Sequence, residues 1–96
     1  MDVKELVNKF KEYSNADTTL LELAYDFAKK AHGEQKRASG EMYFIHVYEV
    51  AVILCNLRMD INTVSAVLLH DVLEDTQVTP DILNKEFGEE VCNLVD

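Results

Sequence analysis

Residues 43–76, YFIHVYEVAVILCNLRMDINTVSAVLLHDVLEDT, decide how this chain must fold. Apolar side chains run nearly all round residues 43–57 and again round residues 61–73. Both runs are too long for ordinary strands and lack two-residue alternation, so they read as α-helices that other helices must cover. Asp60 or Asn62 can cap the second, and the two are expected to form the centre of the molecule. The tail of the second run then breaks its own pattern. In LLHDVLEDT, residues 68–76, Leu68, Leu69, Val72 and Leu73 are interleaved with His70, Asp71, Glu74 and Asp75, so charge stands where burial is expected.

Helical spacing continues outward from this centre. Residues 2–13 place Val3, Leu6, Val7 and Phe10 on one face, and SNAD then interrupts, with Asn15 and Asp17 as N-cap candidates. Residues 18–32 carry Leu20, Leu21, Ala24, Phe27, Ala28 and Ala31 at three- and four-residue steps and stop at Gly33. The polar segment GEQKRASGE, residues 33–41, reads as a loop. On the other side, EDTQVTP makes a break, Thr79 and Pro80 are an N-cap and N1 pair, and DILNKEFG ends on Gly88 before another helix starts at Glu89. No strand-length alternation and no internal repeat occurs. The fold is therefore expected to be all-α, a compact helical bundle in one domain over residues 1–96, since a chain this short supports a single core. The final EEVCNLVD stops within an amphipathic pattern without a C-cap, which predicts the front end of a longer chain.

Nine basic against eighteen acidic residues give a net charge of −9, which disfavours general binding to nucleic acid or to anionic lipid. Lys29, Lys30, Lys36 and Arg37 nonetheless crowd together, offering a basic rim to a small anionic ligand. Cys55 and Cys92 have neither the number nor the spacing of a disulfide framework or a zinc knuckle, and read as reduced core residues. MDVKELVNKF lacks an apolar signal core, and no apolar run reaches the ~20 residues of a membrane span. A cytoplasmic location is expected.

His46 lies early in one central helix, and His70 with Asp71 late in the next; an antiparallel pairing permits them to meet. Two imidazoles and a carboxylate suit Mn²⁺, Fe²⁺ or Zn²⁺. The alternative is that the histidines are hydrogen-bonded core residues and Asp71 a helix-end charge. Asp71 and Glu74 are three apart, and His70 and Glu74 four apart, so they neighbour one another on a helix. Gathering these carboxylates without a cation is costly, whereas beside one, a carboxylate can hold the ion and another can take or deliver a proton. Against this, Glu74 and Asp75 can simply be a solvated helix end. QKRASGE can receive phosphate or stack a base on Arg37, or be a plain solvated loop; Tyr43 and Tyr48 are equally readable as core aromatics or ligand contacts.

Taken together, AYDFAKKAHGEQKRASGEMYFIH, LLHDVLEDT and FGEEVCNLVD resemble, in order, the N-terminal hydrolase domain of RelA/SpoT-type (p)ppGpp synthetase/hydrolases, which belong to the HD metal-dependent phosphohydrolase superfamily. The resemblance covers about residues 20–96. It implies Mn²⁺-dependent removal of the 3′-diphosphate from ppGpp or pppGpp, giving GDP or GTP and pyrophosphate. It further implies that His46, His70 and Asp71 bind the metal and that Glu74 and Asp75 are the catalytic acidic pair. Arg37 would pack on the guanine, with Ser39 and the Tyr43 region lining the nucleotide pocket. This chain departs from the family pattern at Ala38, where lysine is usual, and at Met42 and Val47, where proline is usual. The missing lysine removes an expected phosphate contact. The family's fourth metal ligand, an aspartate, comes from a helix beyond residue 96, as does the synthetase (GTP pyrophosphokinase) domain, so the chain is expected to be a fragment of a bacterial stringent-response enzyme. Two other readings stand beside this one: another HD-family nucleotide phosphohydrolase, which has no need of QKRASG, and a catalytically silent HD module that regulates a neighbouring synthetase. The second would be expected to have lost His-Asp or Glu-Asp, and both are present.

Overall fold

The computed structural model describes residues 2–95, apart from the side chains of Glu74 and Asp75. Six helices follow in order: α1 (Val3–Lys11), α2 (Thr19–His32), α3 (Tyr43–Asn56), α4 (Ile61–Asp75), α5 (Pro80–Phe87) and α6 (Glu89–Val95). The only β-type pairing among the described residues is an isolated antiparallel bridge between Lys36 and Met42, so the fold is all-α. The molecule measures 34 × 30 × 18 Å along its principal axes. Its thin dimension fits two layers of helices about 10 Å across.

Each boundary has a local cause. Asp2, Asp60 and Thr79 accept from the backbone N–H groups of Glu5, Thr63 and Ile82, satisfying donors that the first turns of α1, α4 and α5 leave unpaired. Between the two candidates before α4, Asp60 is the cap. Asp17 accepts from both the backbone and the hydroxyl of Thr19 at the start of α2. Gly33 and Gly88, at positive φ, end α2 and α5 where a Cβ would be strained.

The centre differs from expectation. α4 does pack in the middle, burying Val64, Ser65, Leu68, Leu69 and Val72, but its most extensive partner is α2, not α3. The buried stripe of α2 includes Ala24 and Ala28, small enough for close helix approach. α3 buries Phe44, Val47, Tyr48, Ala51 and Cys55 yet leaves Ile53 and Leu57 largely exposed, at 55% and 61%. Apolar composition all round a helix thus did not mean burial all round. Edge-to-face pairs of Tyr25 with Phe44 and with Tyr48 join α2 to α3, and Phe27 with Phe87 joins α2 to α5. Cys55 and Cys92 are both free; Cys55 is buried, which pushes its thiol pKa up.

α1 is held by long-range contacts. The Tyr13 hydroxyl donates to the Met59 carbonyl at 2.7 Å, and its pKa is pushed up to about 12, chiefly by burial and then by the neighbouring Cys55. At the other end, Tyr48 donates to the carbonyl of Asp2.

The cap of α4 gives the first prediction. Hydrogen bonds from the side chain and then the backbone of Thr63 hold the Asp60 carboxyl below its ordinary value of 3.8. Its stabilising effect is therefore complete above 3.8 and is lost as pH falls through the lower, folded value. Asp60→Ala should cost about 1 kcal/mol at neutral pH. In thermal melts the gap between it and wild type should close on acidification below 3.8, whereas Asp60→Asn should melt close to wild type at neutral pH. A gap that stays constant with pH would remove the carboxylate from the cap.

Candidate active site

The fully buried stripe of α4 fixes the rotation of that helix, and with it the direction of the ionisable residues at its end. His70 follows Leu69, and Asp71 precedes Val72, both of those neighbours at 0% exposure. With successive residues about 100° apart, His70 is turned out to solvent and Asp71 sits at the boundary, half-buried. The Nδ1 of His70 lies 3.1 Å from an Oδ1 of Asp71.

α3 brings His46 to the same place. His46, half-buried one turn into that helix, lines a cavity of about 330 Å³ with Val47, Val50, Val67, His70 and Asp71. Three of the residues singled out in the sequence, from two helices, therefore share one apolar-walled recess. A larger groove, about 440 Å³ between α2 and α5, is lined by Leu23, Phe27, Val78 and Phe87 without any histidine or cysteine. Its ionisable groups are Asp26, Lys30 and Glu86, without the paired imidazoles of the His46 recess.

Tyr43 opens α3 and connects this recess to the preceding loop. Its ring meets His46 edge-on at 6.3 Å, as residues three apart on a helix can, and stacks on His32 at 4.9 Å and 19°. The loop itself is tighter than its polar composition predicts. Arg37 N–H donates to the Glu41 carbonyl, Gly40 N–H to the Arg37 carbonyl and Tyr43 N–H to the Gln35 carbonyl, each at 2.8 Å. With the Lys36–Met42 bridge these bonds form a small hairpin whose turn needs the positive φ of Gly40, +89°.

Arg37 and Ser39 sit exposed at the tip of that hairpin and do not line the His46 cavity. The Ser39 hydroxyl accepts from the backbone of Glu41 at 3.5 Å. The basic rim is narrower than the sequence indicates: on α2, Lys30 pairs with Asp26 at 3.0 Å, and Lys29 lies 5.9 Å over the Tyr25 ring. That leaves Lys36 and Arg37 as its hairpin portion. The side chains of Glu74 and Asp75, expected as the catalytic pair, lie outside the described residues.

Two imidazoles and a carboxylate are chemically suited to a divalent transition metal. Among the described residues, however, no three His, Cys, Asp or Glu side chains converge closely enough to hold an ion. The donor types fit; the set is not closed by these side chains as they stand.

Residues 24–96 match the family model described as HD domain. The chain belongs to the HD domain family. The chain is 43% identical over 95 residues to the guanosine-3′,5′-bis(diphosphate) 3′-pyrophosphohydrolase of Aquifex aeolicus, covering 99% of this chain and 13% of that protein. It is 54% identical over 76 residues to a probable enzyme of the same name from Mycoplasma pneumoniae, covering 79% of this chain and 10% of the relative. A GTP pyrophosphokinase rsh of Brucella ovis is 43% identical over 93 residues, or 96% of this chain and 12% of the relative. The chain thus spans about an eighth of the length of the curated relatives it matches. No helix among the described residues is long and apolar enough to cross a membrane.

The residue that the pattern did not single out is His32. It reads as the last position of a helix before a glycine, and nothing in that spacing announces a buried ring against Tyr43.

If the recess is a metal site, Mn²⁺ should raise the melting temperature of the protein by binding the folded state. His70→Ala and His46→Ala should each lose most of that increase. Equal increases in wild type and both variants would place the ion elsewhere.

Proposed function

We propose that this HD domain removes the 3′-diphosphate of ppGpp or pppGpp, with water cleaving the bond between the 3′ oxygen and phosphorus to give GDP or GTP and pyrophosphate. The observation that carries this reading is the shared recess of His46, His70 and Asp71 at the junction of α3 and α4. Identity to proteins named as 3′-pyrophosphohydrolases supplies the substrate class.

His46, His70 and Asp71 would hold a divalent ion, Mn²⁺ by the oxygen-containing donor set and the family resemblance, with at least one further ligand needed to complete it. When bound, such an ion polarises a phosphoryl oxygen and lowers the pKa of water. The chain's own groups do the remainder. Of Glu74 and Asp75, one takes a proton from the attacking water and the other delivers one to the leaving oxygen. Arg37, on the hairpin tip, lays its planar guanidinium on the guanine, and Ser39 and Tyr43 border the nucleotide. Ala38 provides no cation for a phosphate, leaving Lys36 as the hairpin's only other basic side chain. The net acidity argues against direct nucleic-acid binding and for a small ligand neutralised locally. A synthetase domain in the same chain is the proposed partner, consistent with the relatives named as GTP pyrophosphokinases, and the cytoplasm the proposed location.

One observation favours a second reading. Ala38 stands where the family usually has a lysine for phosphate, a contact that a catalytically silent HD module does not need.

Substitution at the end of α4 separates the two. In the full-length protein, Glu74→Gln and Asp75→Asn preserve shape and remove the ionisable group, so each should lower ppGpp hydrolysis by about 10²–10⁴-fold with Mn²⁺ content unchanged. Asp71→Ala should lose metal and activity together. Turnover that is absent in the wild type with Mn²⁺ supplied would favour the silent module. Arg37→Lys should weaken guanine-nucleotide binding without altering metal content, because an ammonium cannot stack as a guanidinium does; unchanged ppGpp affinity would put the base elsewhere.

A further inference from the structure

His32, the last residue of α2, is 4% exposed. It sits under the hairpin and holds both of its legs. On the leading leg, Nδ1 lies 3.1 Å from Oε1 of Gln35, whose backbone N–H donates to the His32 carbonyl at 2.9 Å. On the trailing leg, the imidazole stacks on Tyr43. The two legs are themselves joined where Tyr43 N–H donates to the Gln35 carbonyl. Residues 36–42, with the turn at Arg37 to Gly40, lie beyond this anchorage.

The other ring nitrogen contributes no bond to the clamp. Nε2 is buried, and among the described residues it has no hydrogen-bond partner. A buried polar atom left unpaired is destabilising, so a phenylalanine of similar shape would fill the same space and keep the stacking at lower cost. What phenylalanine cannot do is engage Gln35.

We propose that His32 is a positioning residue: by clamping Gln35 and Tyr43 together it fixes the hairpin and so presents Arg37 in one orientation to the nucleotide. This rests on the reading of Arg37 as the base-stacking group. A loop ordered before binding spends less of its contact energy on immobilisation, so loss of the clamp should appear in substrate binding and not in the chemical step.

The test uses the full-length protein with ppGpp and Mn²⁺, comparing wild type, His32→Phe, Arg37→Ala and the double variant. His32→Phe should melt at or above the wild-type temperature, yet raise KM for ppGpp about tenfold with kcat within about twofold. Because the clamp acts through Arg37, the double variant should be no worse than Arg37→Ala alone. Multiplying effects, or a fall in kcat at unchanged KM, would overturn the proposal. Should His32→Phe not fold, Gln35→Leu breaks the same contact at a half-buried loop position and is expected to give the same KM and the same non-additivity. If the wild type neither binds nor hydrolyses ppGpp, the hydrolase reading fails, and hydrogen exchange then judges the clamp by itself. The amides of Arg37 and Gly40 should exchange faster in His32→Phe and Gln35→Leu; unchanged rates would mean that His32 does not hold the hairpin.

Discussion

Burial of one face of α4 is the constraint on which the rest depends. Val64, Ser65, Leu68, Leu69 and Val72 are each completely withdrawn from solvent, and α2, α3 and α6 all pack against this helix. At about 25 cal/mol per Å² of apolar surface, no surface contact in the molecule competes with that stripe. Because it admits only one rotation of α4, it decides which residues at the end of the helix can reach the recess beside His46. The direction of His70 and Asp71 is thus set by apolar groups on the buried face of the helix.

Electrostatics then explains why the end of α4 stays near the surface. An uncompensated cluster of carboxylates deep in the core would be neutralised or unstable, whereas at the boundary water can solvate what a ligand does not. His70 and Asp71 meet this condition, with 59% and 25% of their side chains exposed. An apolar wall of Val47, Val50 and Val67 on the other side limits how much solvent the recess holds.

The helices were readable from the sequence because their signals are local. Asp60, Thr79 with Pro80, Gly33 and Gly88 each act on backbone groups within one turn, and each stands at the boundary where its chemistry places it. The centre of the bundle was not readable in the same way. Ile53 and Leu57 look identical in pattern to buried residues, and only the arrangement of other helices leaves them outside. The hairpin escaped for a related reason, since it is built from backbone bonds among Gln35, Arg37, Gly40, Glu41 and Tyr43 that carry no side-chain signature. Of the site, His46, His70 and Asp71 were legible as residue types and the structure brings them to one cavity. The closure of a ligand set was not, because it depends on rotamers and on distances between helices. His32 was hidden by its position at a helix end, where a histidine ordinarily faces water.

The anchoring of α1 has a kinetic consequence. The bonds from Tyr13 to Met59 and from Tyr48 to Asp2 each join residues 46 positions apart. Each therefore closes a long loop, whose entropy must be lost before the contact returns anything. Docking of α1 thus rests on non-local contacts, mainly to α3 and α2, and contacts of that kind slow folding. Because α3 carries both Tyr48 and His46, the amino-terminal helix and the recess at the end of α4 lean on one shared support.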